Sequence, residues 1–91
     1  MPRLTNAERL AIALADACTD PRRWWLEVSL HELAAATGLE AKAIDRCLRF
    51  KWSDWKERLA RKVSNLRSAS YVRRGKPSAC VQIVRKQFET D

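Results

Sequence analysis

The sequence predicts one domain over residues 1–91, mainly α with a small β-hairpin: about four helices, one short strand and a C-terminal two-stranded hairpin. Three observations carry this prediction. Two Ser/Thr-x-x-Glu boxes, Thr5 to Glu8 and Ser29 to Glu32, each open an apolar segment of helical period. Beyond residue 70 that period gives way to short β-rich runs on either side of Gly75-Lys76-Pro77-Ser78. Apolar residues make up 46% of the 91, and four Trp supply large areas, so a chain this short can still close around one interior.

After Thr5, the residues Leu10, Ile12, Ala13, Leu14, Ala15 and Cys18 give the first helix a broad apolar face, and Asp20-Pro21 stops it because proline cannot continue a helix. Trp24 to Val28 reads as a strand. Its adjacent Trp24 and Trp25 then point to opposite faces, one toward the core and one over a neighbouring element. A second helix runs from the Ser29 cap to about Thr37, and Gly38 stands where a left-handed backbone ends a helix. Helix three covers about Glu40 to Phe50, with Ala43, Ile44, Cys47, Leu48 and Phe50 as its apolar set. Ser53 caps a fourth helix over 54–68, whose buried stripe is Trp52, Trp55, Leu59, Val63 and Leu66. Tyr71 to Arg74 and Ala79 to Val84 read as paired strands within a hairpin over 71–84, and residues 87–91 as a frayed tail.

The net charge of +7 is unevenly spread. Residues 1–41 hold four Lys/Arg against six acids, whereas residues 42–86 hold fourteen against three. Solubility alone needs no such asymmetry, so the second half reads as a surface for a polyanion.

Residues 30–49 read LHELAAATGLEAKAIDRCLR, and this stretch resembles the helix-turn-helix pattern. Leu33 and Ala34 lie in its first helix, Gly38 in the turn, Leu39 just after it, and Ile44 and Cys47 in its second helix. Ala34 is small where the helices cross, and the apolar set clamps the two together, leaving the outer face of the second helix free. With a basic hairpin following, the chain is similar to the winged helix-turn-helix family of DNA-binding domains, of the kind found in small prokaryotic or phage transcriptional regulators. The resemblance implies a recognition helix in the major groove and a wing over adjacent phosphates.

The chain departs from that pattern in one respect: helix 54–68 stands between the second helix of the motif and the wing. Two placements follow. In one, helix 40–50 enters the groove with Lys42, Arg46 and Arg49, and the fourth helix is a buttress. In the other, the fourth helix enters with Lys56, Arg58, Arg61, Lys62, Asn65 and Arg67. Glu40 and Asp45 on helix three would repel phosphate, but the turn pattern belongs to that helix. Arg73, Arg74 and Lys76 at the wing suit phosphates or a narrow minor groove, and Arg85 and Lys86 lie just beyond.

No phosphate-binding loop, HExxH or nucleophile elbow occurs, so the expectation is a protein that is not an enzyme, with no cofactor and no small-molecule ligand. Three scattered Cys (Cys18, Cys47, Cys80) and the single His31 are too few and too widely spaced for a zinc site. Free thiols, no secretory signal and no membrane-spanning run give an expected cytoplasmic location, in a bacterial, phage or plasmid setting. The expected function is sequence-selective duplex DNA binding as a small transcriptional regulator. One module makes a small interface, so a homodimer or a protein partner is expected with it. The alternatives are a winged-helix module docking on an acidic protein surface, and a non-specific DNA or RNA binder. A membrane-surface role is not expected, since no helix joins a basic face to a large free apolar one.

Overall fold

The computed structural model describes residues 4–20, 22–50, 52–73 and 79–86. Within them the chain runs α1 (Asn6–Ala17), β1 (Trp25–Ser29), α2 (Leu30–Thr37), α3 (Ala41–Phe50), α4 (Trp52–Lys62), β2 (Leu66–Val72) and β3 (Cys80–Arg85). The result is a small α/β domain in which four helices pack against a three-stranded antiparallel sheet of order β1-β3-β2.

The caps begin the helices where the sequence places them. Ser29 forms a complete box: the Glu32 backbone N–H donates to Ser29 Oγ at 3.1 Å, and the Ser29 N–H donates to Glu32 Oε2 at 2.8 Å. Thr5 forms half of one. The Glu8 N–H donates to Thr5 Oγ1 at 3.1 Å, but the Glu8 carboxylate turns away to meet α4. Gly38 ends α2 with φ 76°, and its N–H donates to Ala34 O at 2.9 Å. A Cβ there would meet nothing within 4 Å, so the requirement for glycine is the left-handed backbone and not space.

The interior follows from helical spacing. Ala7, Leu10, Ala11 and Leu14 form the buried stripe of α1, and the small Ala7 and Ala11 let α4 lie close. Trp55 and Leu59 of α4 are fully buried against them, and Val63 follows just past the helix end. Two cross-strand rows close the core from the sheet side: Leu26, Ile83 and Ala69, then Val28, Val81 and Tyr71. Leu33, Ile44, Cys47 and Leu48 join α2 and α3 to the same core.

Four sequence expectations are corrected. The fourth helix spans 52–62, not 54–68, so Ser53 lies inside it and not at its cap. Ser64 and Asn65 turn the chain, and Leu66 opens a strand instead of completing a helical stripe. Asn65 fixes that turn, since its Nδ2 donates to Lys86 O at 3.2 Å and its own carbonyl accepts from the Lys86 N–H at 2.7 Å. The hairpin is therefore longer than the expected 71–84 and gains β1 as a third strand on β3. Phe50, expected in the apolar set of helix three, is 68% exposed. Neither Trp24 nor Trp25 faces the core, being 48% and 45% exposed; β1 instead buries its alternate residues Leu26 and Val28. The connection 74–78 and the tail 87–91 lie outside the described residues.

Among the described residues Arg85 is the buried cation, at 5% exposure. Its Nη1 donates to Cys18 O at 2.7 Å and its Nε to Arg23 O at 3.0 Å, while Nη2 reaches the carbonyls of Asp20 and Arg23. One guanidinium thus serves carbonyls at the C-terminal end of α1 and in the loop that follows, where the helix dipole favours a cation. Burial there pushes the Cys18 thiol above its ordinary pKa. Replacing Arg85 by Met strands those carbonyls and is expected to lower the unfolding free energy by about 2–4 kcal/mol in urea denaturation. Arg67→Met, at an exposed β2 position, is expected to change it by less than about 0.5 kcal/mol. Equal effects of the two substitutions would refute the assigned role of Arg85.

Candidate nucleic-acid interface

Helix α3 buries Ile44, Cys47 and Leu48 and turns Lys42, Arg46 and Arg49 outward. At 3.6 residues per turn these three cations fall within an arc of about 60°. Lys42 and Arg46 are exposed and form no ion pair with a described residue. The Arg49 guanidinium lies 4.9 Å from the centre of the exposed Phe50 ring, where a cation is attracted to the ring face.

Asp45 sits beside this face and is not the free repelling acid expected from the sequence. It is half-buried, with a side chain 23% exposed. Its Oδ2 holds Arg49 Nη2 at 2.9 Å, and its Oδ1 accepts from the Tyr71 hydroxyl at 2.6 Å with Arg73 Nε 3.5 Å away. The Tyr71 hydrogen bond, helped by the two guanidiniums, holds the Asp45 carboxyl below its ordinary value. Burial, and then the Asp45 charge, push the Tyr71 phenol up to about 12. The contact ties α3 to the far end of β2 and brings Arg73 next to the α3 cations. Between them a groove of about 460 Å³ is lined by Leu48, Arg49, Trp55, Lys56, Ser70, Tyr71 and Arg73. Its floor is apolar, with the Trp55 indole N–H satisfied by Leu48 O at 3.3 Å, and its rim carries three cations.

The cations of α4 divide. Arg58 donates to Asp54 at 2.8 Å and to Glu8 at 2.9 Å, and Lys62 meets the other Glu8 oxygen at 2.7 Å. Both are engaged within the protein, binding α4 to α1. Lys62 and then Arg58 hold the Glu8 carboxyl below its ordinary value, and Glu8 in turn raises Arg58. Lys56 lies over the Trp55 ring at 5.7 Å, while Arg61 and, on β2, Arg67 are exposed with no ion pair to a described residue. Of the expected set, the structure gathers Lys42, Arg46, Arg49, Lys56 and Arg73 around α3 and its groove, and assigns Arg58 and Lys62 to packing. Arg74 and Lys76 lie outside the described residues.

Sequence reasoning missed Tyr71 and the role of Asp45. The i,i+4 spacing of Asp45 and Arg49 signals their pair, but nothing in the sequence signals a partner 26 residues away. His31 is exposed on α2. Among the described residues no three His, Cys, Asp or Glu side chains converge as metal ligands, and no helix is long and apolar enough to cross a membrane. Compared with protein-family models, curated proteins and solved structures, the chain shows no match.

Two pH measurements test this geometry. Tyr71 is the single tyrosine, so ultraviolet difference absorbance titrates it alone, with an expected midpoint of about 12. Its raised folded pKa means stability is intact below the free tyrosine value of about 10 and is lost as pH rises above it. Asp45→Asn is expected to move the midpoint down; an unchanged midpoint would contradict the contact. Glu8 titrates in the opposite sense, because its folded pKa is depressed below 4.5. Its contribution is present above that value and is lost as pH falls through the folded pKa. Glu8→Gln is therefore expected to flatten the acid limb of the stability–pH curve while leaving the limb above neutrality unchanged.

Proposed function

We propose that the protein is a winged helix-turn-helix binder of duplex DNA, acting as a small sequence-selective regulator, with α3 as the recognition helix and α4 as its buttress. The observation that carries this reading is the exposed cationic face of α3, beside Arg73 at the end of β2 that leads into the β2–β3 connection. The chain order supports it as well: a capped α2, a left-handed Gly38, α3, then an antiparallel hairpin that pairs back onto β1 in the order β1-β3-β2. That order is similar to the winged helix pattern, apart from the inserted α4.

An α-helix with its side chains is about 10–12 Å across, and the major groove is about 12 Å wide, so the ten-residue α3 fits within it. Lys42, Arg46 and Arg49 then meet base edges and flanking phosphates. Arg73 and Lys56 neutralise phosphates beside it. The Glu8 contacts withdraw Arg58 and Lys62 from that role and fix the angle at which α4 supports α3. A single module offers a limited interface, so high affinity on a natural site calls for two copies or a partner on adjacent half-sites.

The test is binding to random-sequence duplex DNA over a salt series, followed by sequencing of the bound pool. The expected result is a steep salt dependence and an enriched motif. Lys42→Ala and Arg46→Ala are each expected to weaken binding and to lower the slope of log affinity against log salt by about 1, whereas Lys62→Ala leaves the slope unchanged. The reverse pattern would make α4 the groove helix. A steep slope without an enriched motif would leave a non-specific binder. No binding at low salt would overturn the nucleic-acid reading and turn the search to an acidic protein partner.

A further inference from the structure

An acid beside a basic surface weakens any polyanion complex unless it does something else there. Asp45 lies on α3 between Lys42 and Arg49, and both of its oxygens are occupied. An Asp–Arg pair at i,i+4 alone would be an ordinary helix-surface contact. Here the same carboxylate also accepts from the Tyr71 hydroxyl of β2 at 2.6 Å and has the Nε of Arg73, the residue just after β2, within ion-pair range at 3.5 Å. Two guanidiniums carried by different elements are thereby held in a fixed relation.

We propose that Asp45 is a specificity-determining positioning residue of the α3 interface, which withholds Arg49 and Arg73 from indiscriminate phosphate contact and aims them together. This rests on the DNA-binding reading given above. Non-specific affinity comes from cations free to follow phosphates and release counterions. An arginine already neutralised by a carboxylate contributes little of that. Yet a guanidinium has five N–H donors, and Asp45 takes only Nη2 of Arg49 and Nε of Arg73. A phosphate or base edge in line with both arginines can use the remaining donors with the clamp intact. A duplex out of that register must break the clamp first. Asp45 therefore lowers affinity for all DNA and lowers it least for the fitting sequence.

The test compares Asp45→Asn and Asp45→Glu with the wild type, on random duplex and on the sequence selected by the wild type. Asn keeps the shape and an oxygen for the Tyr71 hydroxyl but removes the charge. It is expected to raise affinity for random duplex about tenfold at low salt and to steepen the log–log salt slope by about 1. The selected sequence gains less, so the selectivity ratio falls. Glu keeps the charge but displaces the carboxylate by one methylene; it is expected to lower the ratio while the salt slope stays at the wild-type value. A purely structural role would move both affinities together in both variants and leave the ratio untouched, which would overturn the proposal. So would a wild-type pool with no enriched sequence, since no selectivity would exist to set. Failure of the wild type to bind any duplex would remove the DNA reading and this proposal with it, an outcome distinct from a binding protein whose ratio is indifferent to residue 45.

Discussion

The carboxylate of Glu8 stands where α4 crosses α1, and each of its oxygens holds a cation of α4, Arg58 on one and Lys62 on the other. Beneath that contact Trp55 and Leu59 are fully buried against Leu10 and Leu14. The apolar stripe brings the two helices together, and the ion pairs add rotational and axial register to a packing that is otherwise non-directional. Once α4 is committed to α1 in this way, two of its basic side chains are spent on the packing. Helix α3, whose apolar side is filled by Ile44, Cys47 and Leu48, keeps its outer face free.

The same division runs through the rest of the charge. Arg85, counted with the cationic half in sequence, is buried on backbone carbonyls at the end of α1 and joins the last strand to the first helix. Asp45 gathers Arg49 and Arg73 and fixes the end of β2 against α3. The basic excess of residues 42–86 is thus partitioned between cations that hold the fold and cations that remain available. Lys42 and Arg46 of α3 form no ion pair with a described residue, while Arg49, Lys56 and Arg73 rim the groove beside Trp55 and Tyr71.

Much of this was legible in the sequence wherever the signal is local. The caps at Thr5 and Ser29, the stop at Gly38 and the span of α3 all rest on contacts within four residues, and each lies where the pattern placed it. The end of α4 was not legible. Leu66 follows Val63 by three residues, a spacing that fits a continuing helix, and the β2 sequence Leu-Arg-Ser-Ala-Ser-Tyr-Val has weak intrinsic strand preference. Pairing to β3 decides its conformation, and that pairing is long-range. The two adjacent Trp misled for a related reason. Trp24 lies before the strand begins, and Leu26 and Val28 claim the core face, leaving Trp25 on the other side. For the candidate site, the α3 cations were legible from helical spacing. The removal of Arg58 and Lys62, and the conversion of Asp45 from a repelling charge into a clamp, depend on partners far away in the chain and appear only in three dimensions.

In the proposed complex α3 meets the nucleic acid while α4 supports it from behind. The most direct measurement is a backbone amide NMR titration of the protein with a short duplex, which reports the contact surface residue by residue. The largest shifts are expected on 41–50 and on the β2 end through Arg73, with the Arg58–Lys62 turn of α4 and the Trp24–Trp25 segment little changed. Shifts centred on α4, with α3 undisturbed, would contradict it.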